Sequence, residues 1–421
     1  MTTSQGLRAP YLPPRPSCMS GANSAPTRIV QTPDITVTIR QTLRTYYAIA
    51  CWSGESNRLT AACSSDLLAP QLQLEQSKED SMQRHKMAFT ICLGLAVMLV
   101  SSTALAQYSL TNLASNQVGM AKHIDPLLVN GWGLAYGPGG AFWISDQGSG
   151  WSTLYNGKGV KQGLEVSIPS ASGADTGQPT GIVFNGSTDF QLGGNNAIFL
   201  FATLDGTISG WAPGTNFNDA IIAVNNSASK SQFTGLAVTN RPSGNLLYAA
   251  DLANNIVDVY DGSFNLVNSF TDTSLPAGYA PFGIQDINGL VYVAFAQADE
   301  APGGYVDIFE EDGTFVKTLA QGKPLNQPWG FAVAPKNFGK LSNTLLVSNN
   351  TNSGTINAFN LETGAFVGTV RDTNGKDIVI DQLWGIEFGG GSSSNGRTNQ
   401  LFFTAGPSNN LAGTFGVIDL K

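Results

Sequence analysis

Cysteine and histidine are nearly absent from the larger part of this 421-residue chain. From residue 107 onward the chain has no cysteine and a single histidine, His123. Residues 107–421 therefore hold no disulfide, no thiolate metal site and no cysteine nucleophile. One histidine also excludes zinc sites built from several histidine ligands. The four cysteines all lie upstream, at Cys18, Cys51, Cys63 and Cys92.

Charged residues are scarce too, at 12% of the chain. Residues 1–106 hold nine of the 22 Lys and Arg and six of the 30 Asp and Glu, which leaves residues 107–421 with a net charge of −11. An acidic protein of this kind repels phosphate backbones, so we expect no nucleic-acid partner. Glycine is abundant instead, with 48 copies, and it supplies the positive φ angles that tight turns between strands need.

One apolar run stands out, at residues 87–100. Basic residues precede it at 84–86 and a small-x-small motif follows at 104–106, which is the order of a secretory signal peptide. The run is shorter than the roughly 20 residues that a transmembrane helix needs. We therefore predict a signal peptide at 82–106, a secreted or periplasmic protein, and no transmembrane segment after cleavage. Because such a signal normally opens a chain, we expect residues 1–81 to be a mis-assigned start or a disordered extension.

Internal repetition is the main pattern in residues 107–421. A short phrase that ends in Gly and an apolar run occurs six times, and its glycines are spaced by 48, 54, 48, 47 and 55 residues. The phrases are N-G-W-G-L-A-Y, Q-P-T-G-I-V-F, Q-F-T-G-L-A-V, A-P-F-G-I-Q-D, Q-P-W-G-F-A-V and Q-L-W-G-I-E-F. Their glycines are Gly133, Gly181, Gly235, Gly283, Gly330 and Gly385.

Each phrase opens a unit of four short strand-like segments with turn residues between them. In the third unit the later segments read L-L-Y-A-A-D, N-I-V-D-V-Y-D-G and L-V-N-S-F-T. A four-stranded sheet cannot bury both faces alone, whereas six sheets around one axis cover each other, so the pattern predicts an all-β, six-bladed β-propeller. The alternatives, a solenoid or a sandwich, fit less well, because solenoid coils are shorter and sandwiches do not repeat their sequence six times.

The two ends of the repeat region predict how the ring closes. The last unit ends in T-F-G-V-I-D-L and lacks a fourth strand, whereas Y-S-L-T-N-L-A at Tyr108 resembles a fourth-strand segment. We therefore predict that the N- and C-terminal strands share the sixth blade.

Oxygen-bearing side chains recur after the second strand of several units. Asp146, Asp251 and Asn349 occupy matching positions there, and the loops that carry them face the end of the channel where propellers usually bind ligands. Because hard cations such as Ca²⁺ prefer several oxygen ligands, these three residues are candidate metal ligands. Asp and Asn also favour such loops by bonding their own backbone, so turn chemistry is the alternative.

Two further groups of residues are candidates for chemistry. His123 and Asp125 lie in an unusually long segment before the first inner strand, in a loop that we expect to face the binding end of the channel. They could act there as a general acid–base pair, although a lone histidine is more often structural. Trp132, Trp329 and Trp384 share one phrase position, and with Asn130 they could bind a flat ligand such as a sugar ring. Packing between blades is the alternative reading of the tryptophans.

Several segments carry a resemblance to a known family. H-I-D-P-L-L-V-N-G-W-G-L-A-Y-G-P and P-L-N-Q-P-W-G-F-A-V-A-P-K-N-F-G resemble uncharacterised exported bacterial proteins that are related to NHL-repeat propellers. The resemblance covers essentially all of residues 107–421 and does not extend to residues 1–81. It implies the fold and export but no reaction, since a fold does not determine a function. Where family members often have Asn-Pro-Trp-Gly in the first unit, this chain has Asn-Gly-Trp-Gly at residues 130–133.

These observations favour a monomeric binding or interaction module whose partner is a small molecule, a saccharide or a protein. The alternative is a hydrolase or lyase with its site over the channel that uses a cation such as Ca²⁺.

The signal-peptide prediction is testable on secreted material. We expect mass spectrometry to find a mature N-terminus at Gln107, because signal peptidase cleaves after a small-x-small motif. A mature N-terminus far from this residue would contradict the prediction.

Overall fold

A computed structural model describes residues 108–297 and 300–421. These residues form 27 β-strands and two short 3-10 helices, Ser227–Ser229 and Gly339–Leu341. No helix in this part of the chain has the length and apolar character to cross a bilayer. The predicted signal peptide at 82–106 and the residues before it lie outside the described residues.

The strands form six blades, each built on four antiparallel strands, as the repeats predict, and the first strand of each unit is innermost. Blade one contains β3 (Gly131–Tyr136), β4 (Phe142–Asp146), β5 (Trp151–Tyr155) and β6 (Lys161–Ser167). Blade two contains β7 (Pro179–Phe184), β10 (Phe199–Thr203), β11 (Thr207–Trp211) and β12 (Ile221–Asn225). Blade three contains β13 (Phe233–Val238), β14 (Leu247–Asp251), β15 (Ile256–Tyr260) and β16 (Leu266–Phe270). Within blade two a small hairpin, β8 (Gln191–Leu192) and β9 (Asn195–Asn196), precedes the second strand.

The second half of the ring repeats this order. Blade four contains β17 (Tyr279–Ile287), β18 (Leu290–Gln297), β19 (Tyr305–Glu310) and β20 (Phe315–Gln321). Blade five contains β21 (Pro328–Val333), β22 (Thr344–Asn349), β23 (Ile356–Asn360) and β24 (Phe366–Thr369). Blade six contains β25 (Leu383–Phe388), β26 (Gln400–Ala405), β27 (Thr414–Leu420) and β1 (Tyr108–Ser115), with a fifth strand, β2 (His123–Ile124), outside β1. The prediction of a six-bladed β-propeller is confirmed.

The two ends of the repeat region close the ring in blade six, as predicted. β1 pairs antiparallel with β27, from Tyr108 opposite Leu420 to Ser115 opposite Thr414. The Tyr108 hydroxyl also donates a hydrogen bond to the carbonyl of Phe338 in blade five at 2.8 Å. The first described strand is therefore held by two blades.

The phrase glycines lie where neighbouring inner strands approach most closely. A Cβ at any of these six positions would come within about 3 Å of backbone atoms in the next inner strand. At Gly283 it would overlap the carbonyl oxygen of Trp329, and at Gly385, which meets blade one, it would lie 3.0 Å from the carbonyl oxygen of Trp132. The shared glycines are therefore a steric requirement of ring closure rather than of turn formation.

The hydrophobic core lies between blades. Each of the six pairs of neighbouring blades encloses one cluster of buried apolar side chains in the described part of the chain. Between blades one and two, for example, Trp143 stacks on Phe199 with ring centroids 4.2 Å apart. Burial of apolar surface on both faces of every sheet is what stabilises the ring.

The closest approach between inner strands, at Gly283, predicts that one added methyl group will strongly destabilise the fold. Gly283→Ala should lower the free energy of unfolding by about 1–3 kcal/mol, because the Cβ overlaps the Trp329 carbonyl and forces the strands apart. Urea denaturation measures this change. The matched control is Gly163→Ala in β6, where a Cβ meets nothing within 4 Å, and its effect should stay within about 0.5 kcal/mol. Equal effects of the two substitutions would contradict the steric account.

A buried pair of carboxyl groups links blades three and four. Asp307 in β19 is fully buried, and burial together with the charge of Asp272 raises its pKa to about 7. The equivalent residue in blade three, Asp258, differs because it accepts hydrogen bonds from Ser269 at 2.8 Å and from Asn226 at 3.5 Å. Asp307 therefore faces a second carboxyl group where Asp258 faces an amide.

This pair makes stability depend on pH near neutrality. Because the folded-state pKa of Asp307 is raised, its stabilising contribution is complete below the unfolded pKa near 4 and is lost as the pH rises through about 7. Asp307→Asn should therefore raise the melting temperature at pH 8 by about 2 °C or more and flatten its dependence between pH 6 and 8. Asp312→Asn is the control, because Asp312 is exposed and its pKa is lowered. An unchanged pH dependence in Asp307→Asn would rule out this role.

Candidate functional site

A cavity of about 760 Å³ opens over the channel at the end where the inner strands begin. All six blades contribute to its lining, through residues before or at the start of the first strand and at or after the end of the second. Amide side chains dominate this lining: Asn130, Gln147, Gln297, Asn326, Gln327, Asn350, Asn352, Gln382 and Asn410. The mouth cavity, as we call it, is therefore polar but has little charge.

Four of these amide residues have positive φ angles: Asn410, with 64°, and three that share one repeat position. Asn130, Gln327 and Gln382 each lie two residues before a phrase tryptophan and have φ values of 48°, 52° and 51°. Non-glycine residues at positive φ are uncommon, and glutamine gains less from local bonding there than asparagine does. A backbone hydrogen bond from the residue after the second strand holds each one, as in Asn350 to Gln327 at 2.8 Å. The strained backbone therefore occurs at residues whose side chains line the mouth cavity.

Tryptophan side chains form the floor of the mouth cavity. Trp132 and Trp384 stack with ring centroids 3.6 Å apart, and Trp329 meets both edge-on at 6.3 and 5.9 Å. All three rings are buried, and with Phe282 and Ala296 they form an apolar cluster across the channel. Packing accounts for most of their surface, and a ligand could meet only the exposed edges of Trp132 and Trp384, which line the cavity.

A chain of hydrogen bonds connects this floor to the rim. The indole of Trp384 donates to Asn130 Oδ1 at 2.8 Å, and Asn130 Nδ2 donates to Gln147 Oε1 at 2.7 Å. Gln147 Nε2 then donates to the amide oxygen of Gln178 at 2.8 Å. Each bond fixes the orientation of the next amide, so the predicted ligand-binding residue Asn130 is held in place. A Cβ at Gly406 would overlap Asn130 Oδ1, which explains the glycine there.

Two polar atoms of residues that line the mouth cavity have no hydrogen-bond partner among the described residues. They are the indole nitrogen of Trp132 and Oδ1 of Asn410. Buried polar atoms normally have partners, and exceptions concentrate where a ligand or an ordered water completes the bonding. The structure thus brings Asn130 and the three predicted tryptophans together, and their part in ligand binding stays a prediction.

The predicted metal ligands lie at the ends of β4, β14 and β22, and all three are buried. Asp146 accepts a hydrogen bond from Thr153 at 2.7 Å, Asp251 from the backbone of Gln232 at 3.1 Å, and Asn349 from the backbone of Asn326 at 3.0 Å. Each partner belongs to the same blade as its acceptor or to that blade's entry loop, as turn chemistry expects. Within residues 108–297 and 300–421 no three His, Cys, Asp or Glu side chains form a group that could hold a metal ion. The metal role of these residues stays a prediction.

Asp146 belongs to a buried polar network between blades six and one. Burial raises the pKa of Asp146 well above its usual value, and the charge of Asp125 acts in the same direction. Asp125 accepts a hydrogen bond from the Tyr155 hydroxyl at 2.5 Å and forms an ion pair with Lys161 at 2.8 Å. This network explains Asp125 structurally, as a group that connects the closing blade to the first one.

His123 lies in the outermost strand of blade six, at the perimeter of the ring. The segment that was expected to lead over the channel instead forms β2, which pairs parallel with β1, with His123 opposite Ala114. Asp125 follows at once, and its backbone N–H donates to the carbonyl of Ser115 at 2.9 Å. The expected position near the channel is therefore wrong for both residues, because a short added strand takes up the segment. The suggested acid–base role itself stays a prediction.

Glu387 is the functional candidate that the repeat analysis missed. It lies in the sixth phrase, Q-L-W-G-I-E-F, and its carboxyl group faces the channel beyond the tryptophan cluster. Burial raises its pKa to about 7. A comparison of the six phrases could have found it, since no other phrase has a charged residue two positions after the glycine.

Comparison with known proteins identifies viral relatives. "Uncharacterized protein R648" of Acanthamoeba polyphaga mimivirus is 30% identical over 336 residues, which cover 75% of this chain and 81% of that protein. "Uncharacterized protein L690" of the same virus is 30% identical over 304 residues, or 67% of this chain and 79% of that protein. The assignment to a bacterial family is therefore wrong, because the relatives that carry the similarity are viral and do not support a bacterial origin.

Solved structures with a similar architecture are more distant. A gluconolactonase from Xanthomonas campestris has 13% identity and a TM-score of 0.46, covering 70% of this chain and 88% of that one. A streptogramin B lyase has 13% identity and a TM-score of 0.45, with 75% and 98% covered, and a glucose dehydrogenase has 10% and 0.48, with 74% and 99% covered. No family model matches the chain. On the similarity to the two viral proteins, the chain belongs to the protein family that includes R648 and L690 of Acanthamoeba polyphaga mimivirus.

Proposed function

We propose that this protein is an exported binding module that holds a small, uncharged polar ligand of the saccharide class in the mouth cavity. The observation that carries the proposal is the amide-rich lining over a tryptophan floor. The part that concerns export rests on the signal-like segment at 82–106.

The polarity of the lining favours a neutral ligand. Among the described residues that line the mouth cavity, Glu300 is the only one with an ionisable side chain. An amide offers both donors and acceptors, so a ring of amides can bond to hydroxyl groups in either sense without a charge to balance. A ligand with several hydroxyl groups matches such a ring better than a phosphate or a carboxylate does.

The floor supplies the apolar part of the recognition. Edges of Trp132 and Trp384 line the cavity beside Leu204 and Leu252. A sugar ring has an apolar face that can contact these indole edges, while its hydroxyls bond to the polar groups around the cavity. A volume of about 760 Å³ lies within the range of small-molecule sites.

Binding without catalysis is favoured over the hydrolase or lyase alternative. That alternative needs a cation held by the candidate ligands, and neither Asp146 nor Asp251 is among the residues that line the mouth cavity. Both carboxylates have hydrogen-bond partners next to their own strands.

Titration with neutral saccharides tests the proposal. In isothermal titration calorimetry against a panel of neutral mono- and oligosaccharides, we expect at least one ligand to bind the full chain. Gln147→Ala should weaken that binding roughly tenfold, because it removes one amide from the lining and the link that orients Asn130 and Gln178; the loss of one ligand hydrogen bond of about 1.4 kcal/mol corresponds to about tenfold.

The matched control is Gln191→Ala, which removes an exposed amide in the outer hairpin of blade two. Its ligand affinity should equal that of the unaltered protein. Binding that is confined to charged ligands, or an equal loss in both variants, would count against the proposal.

A further inference from the structure

The channel contains a second cavity, of about 370 Å³, at the end where the inner strands finish. Its lining comes from the inner strands of all six blades. The tryptophan cluster separates it from the mouth cavity, since Trp132 and Trp384 line the mouth cavity whereas Trp329 lines this one. We call it the lower cavity, and nothing in the proposed function uses it.

One repeat position determines the chemistry of the lower cavity. The residue two positions after the phrase glycine lines the cavity in five blades, and these residues are Ala135, Val183, Ala237, Gln285 and Glu387. Four of the five side chains are neutral, so Glu387 alone brings a charge at this level. The remaining walls are mostly glycine and aliphatic side chains.

The carboxyl group of Glu387 has no cationic partner. It makes no ion pair with any described residue, and no Lys, Arg or His is among the residues that line the lower cavity. Asp286, the other acidic residue in the lining, has a buried Oδ2 without a hydrogen-bond partner in the described chain. The lining of the lower cavity therefore includes two acidic residues and no basic one.

The pKa of Glu387 is consistent with the absence of a cationic partner. Burial raises its pKa to about 7, and no charged neighbour opposes the effect. Burial raises the pKa of Tyr136 to about 12, with a further contribution from the charge of Glu387, so the phenol lies close to the carboxyl group. Burial also raises the pKa of Asp286. An uncompensated buried carboxylate gains most from a ligand that brings the missing charge.

We propose that the lower cavity binds a small organic ammonium ion, with its charge on Glu387 and its alkyl groups against the aliphatic walls and the ring of Tyr136. Aromatic faces attract ammonium groups as well. A bare metal ion fits less well, because hard cations require six or more oxygen ligands and only Gln285, Asp286 and Glu387 bring a carboxyl or amide oxygen to this lining. This site is independent of the one that the proposed function uses.

Choline is the probe that tests this proposal, with its uncharged analogue, in which a carbon atom replaces the nitrogen, as the matched ligand. In calorimetry on the full chain at pH 8, choline should bind at one site and the analogue at least tenfold more weakly. Glu387→Gln keeps the size of the side chain and removes its charge, so it should weaken choline binding at least tenfold. Glu300→Gln, in the mouth cavity, should leave the affinity for choline unchanged.

The affinity for choline should also depend on pH. Because Glu387 titrates near 7, its charged fraction drops from about nine-tenths at pH 8 to about one-tenth at pH 6, and the affinity should fall roughly tenfold. Tyr136 stays neutral over this range, and Asp286 would act in the same direction as Glu387. Melting curves confirm that each variant is folded. The proposal is overturned if choline does not bind, if the analogue binds equally well, or if Glu300→Gln rather than Glu387→Gln loses the binding.

Discussion

Close approach of the six inner strands around the channel is the constraint on which the rest of the structure depends. At the phrase glycines the strands come so near that no side chain fits between them. Hydroxyl groups then bridge neighbouring blades at the same level: Ser348 donates to the carbonyl of Trp384 at 2.7 Å, and Thr404 to that of Trp132 at 2.5 Å. Because these carbonyls are buried, each bridge satisfies an acceptor that would otherwise be costly. The close packing at the glycines and the hydrogen bonds to the buried carbonyls therefore favour the same placement of neighbouring inner strands.

This constraint also determines where chemistry is possible. Glycine occupies the position where the inner strands are closest. The residues before and after each glycine therefore come near the channel axis. The residues just before the glycines include Trp132 of blade one, Trp329 of blade five and Trp384 of blade six. These three blades are adjacent, and the three side chains pack together across the channel. The corresponding residues of the other blades are smaller or fit around them, as Phe282 does at 5.7 Å from Trp384. The channel is thereby divided into a mouth cavity and a lower cavity with different linings.

The sequence predicted the fold far better than the positions of reactive groups. Six similar phrases, each followed by three strand-like segments, were enough for the blade number and for the closure at Tyr108, because repetition reports local structure and ring geometry together. The segment at His123 was misplaced since a two-residue strand such as β2 has no periodicity that could reveal it. The burial of individual polar side chains could not be predicted from the sequence either. Asp125 and Asp307 look like ordinary polar residues in the sequence. Only packing shows that both lie inside the protein, Asp125 in an ion pair with Lys161 and Asp307 with a raised pKa.

Departures from the repeat carry more information about function than the shared residues do. The glycines recur because every blade must meet its neighbour in the same way, so they report packing. Asn130, Gln327 and Gln382 accept a strained backbone in only three blades, and Glu387 places a carboxyl group where other blades have neutral side chains. Both features have an energetic cost, in backbone strain for the first and in desolvation for the second. The two departures lie at opposite ends of one channel, which is why the two proposals place their ligands there.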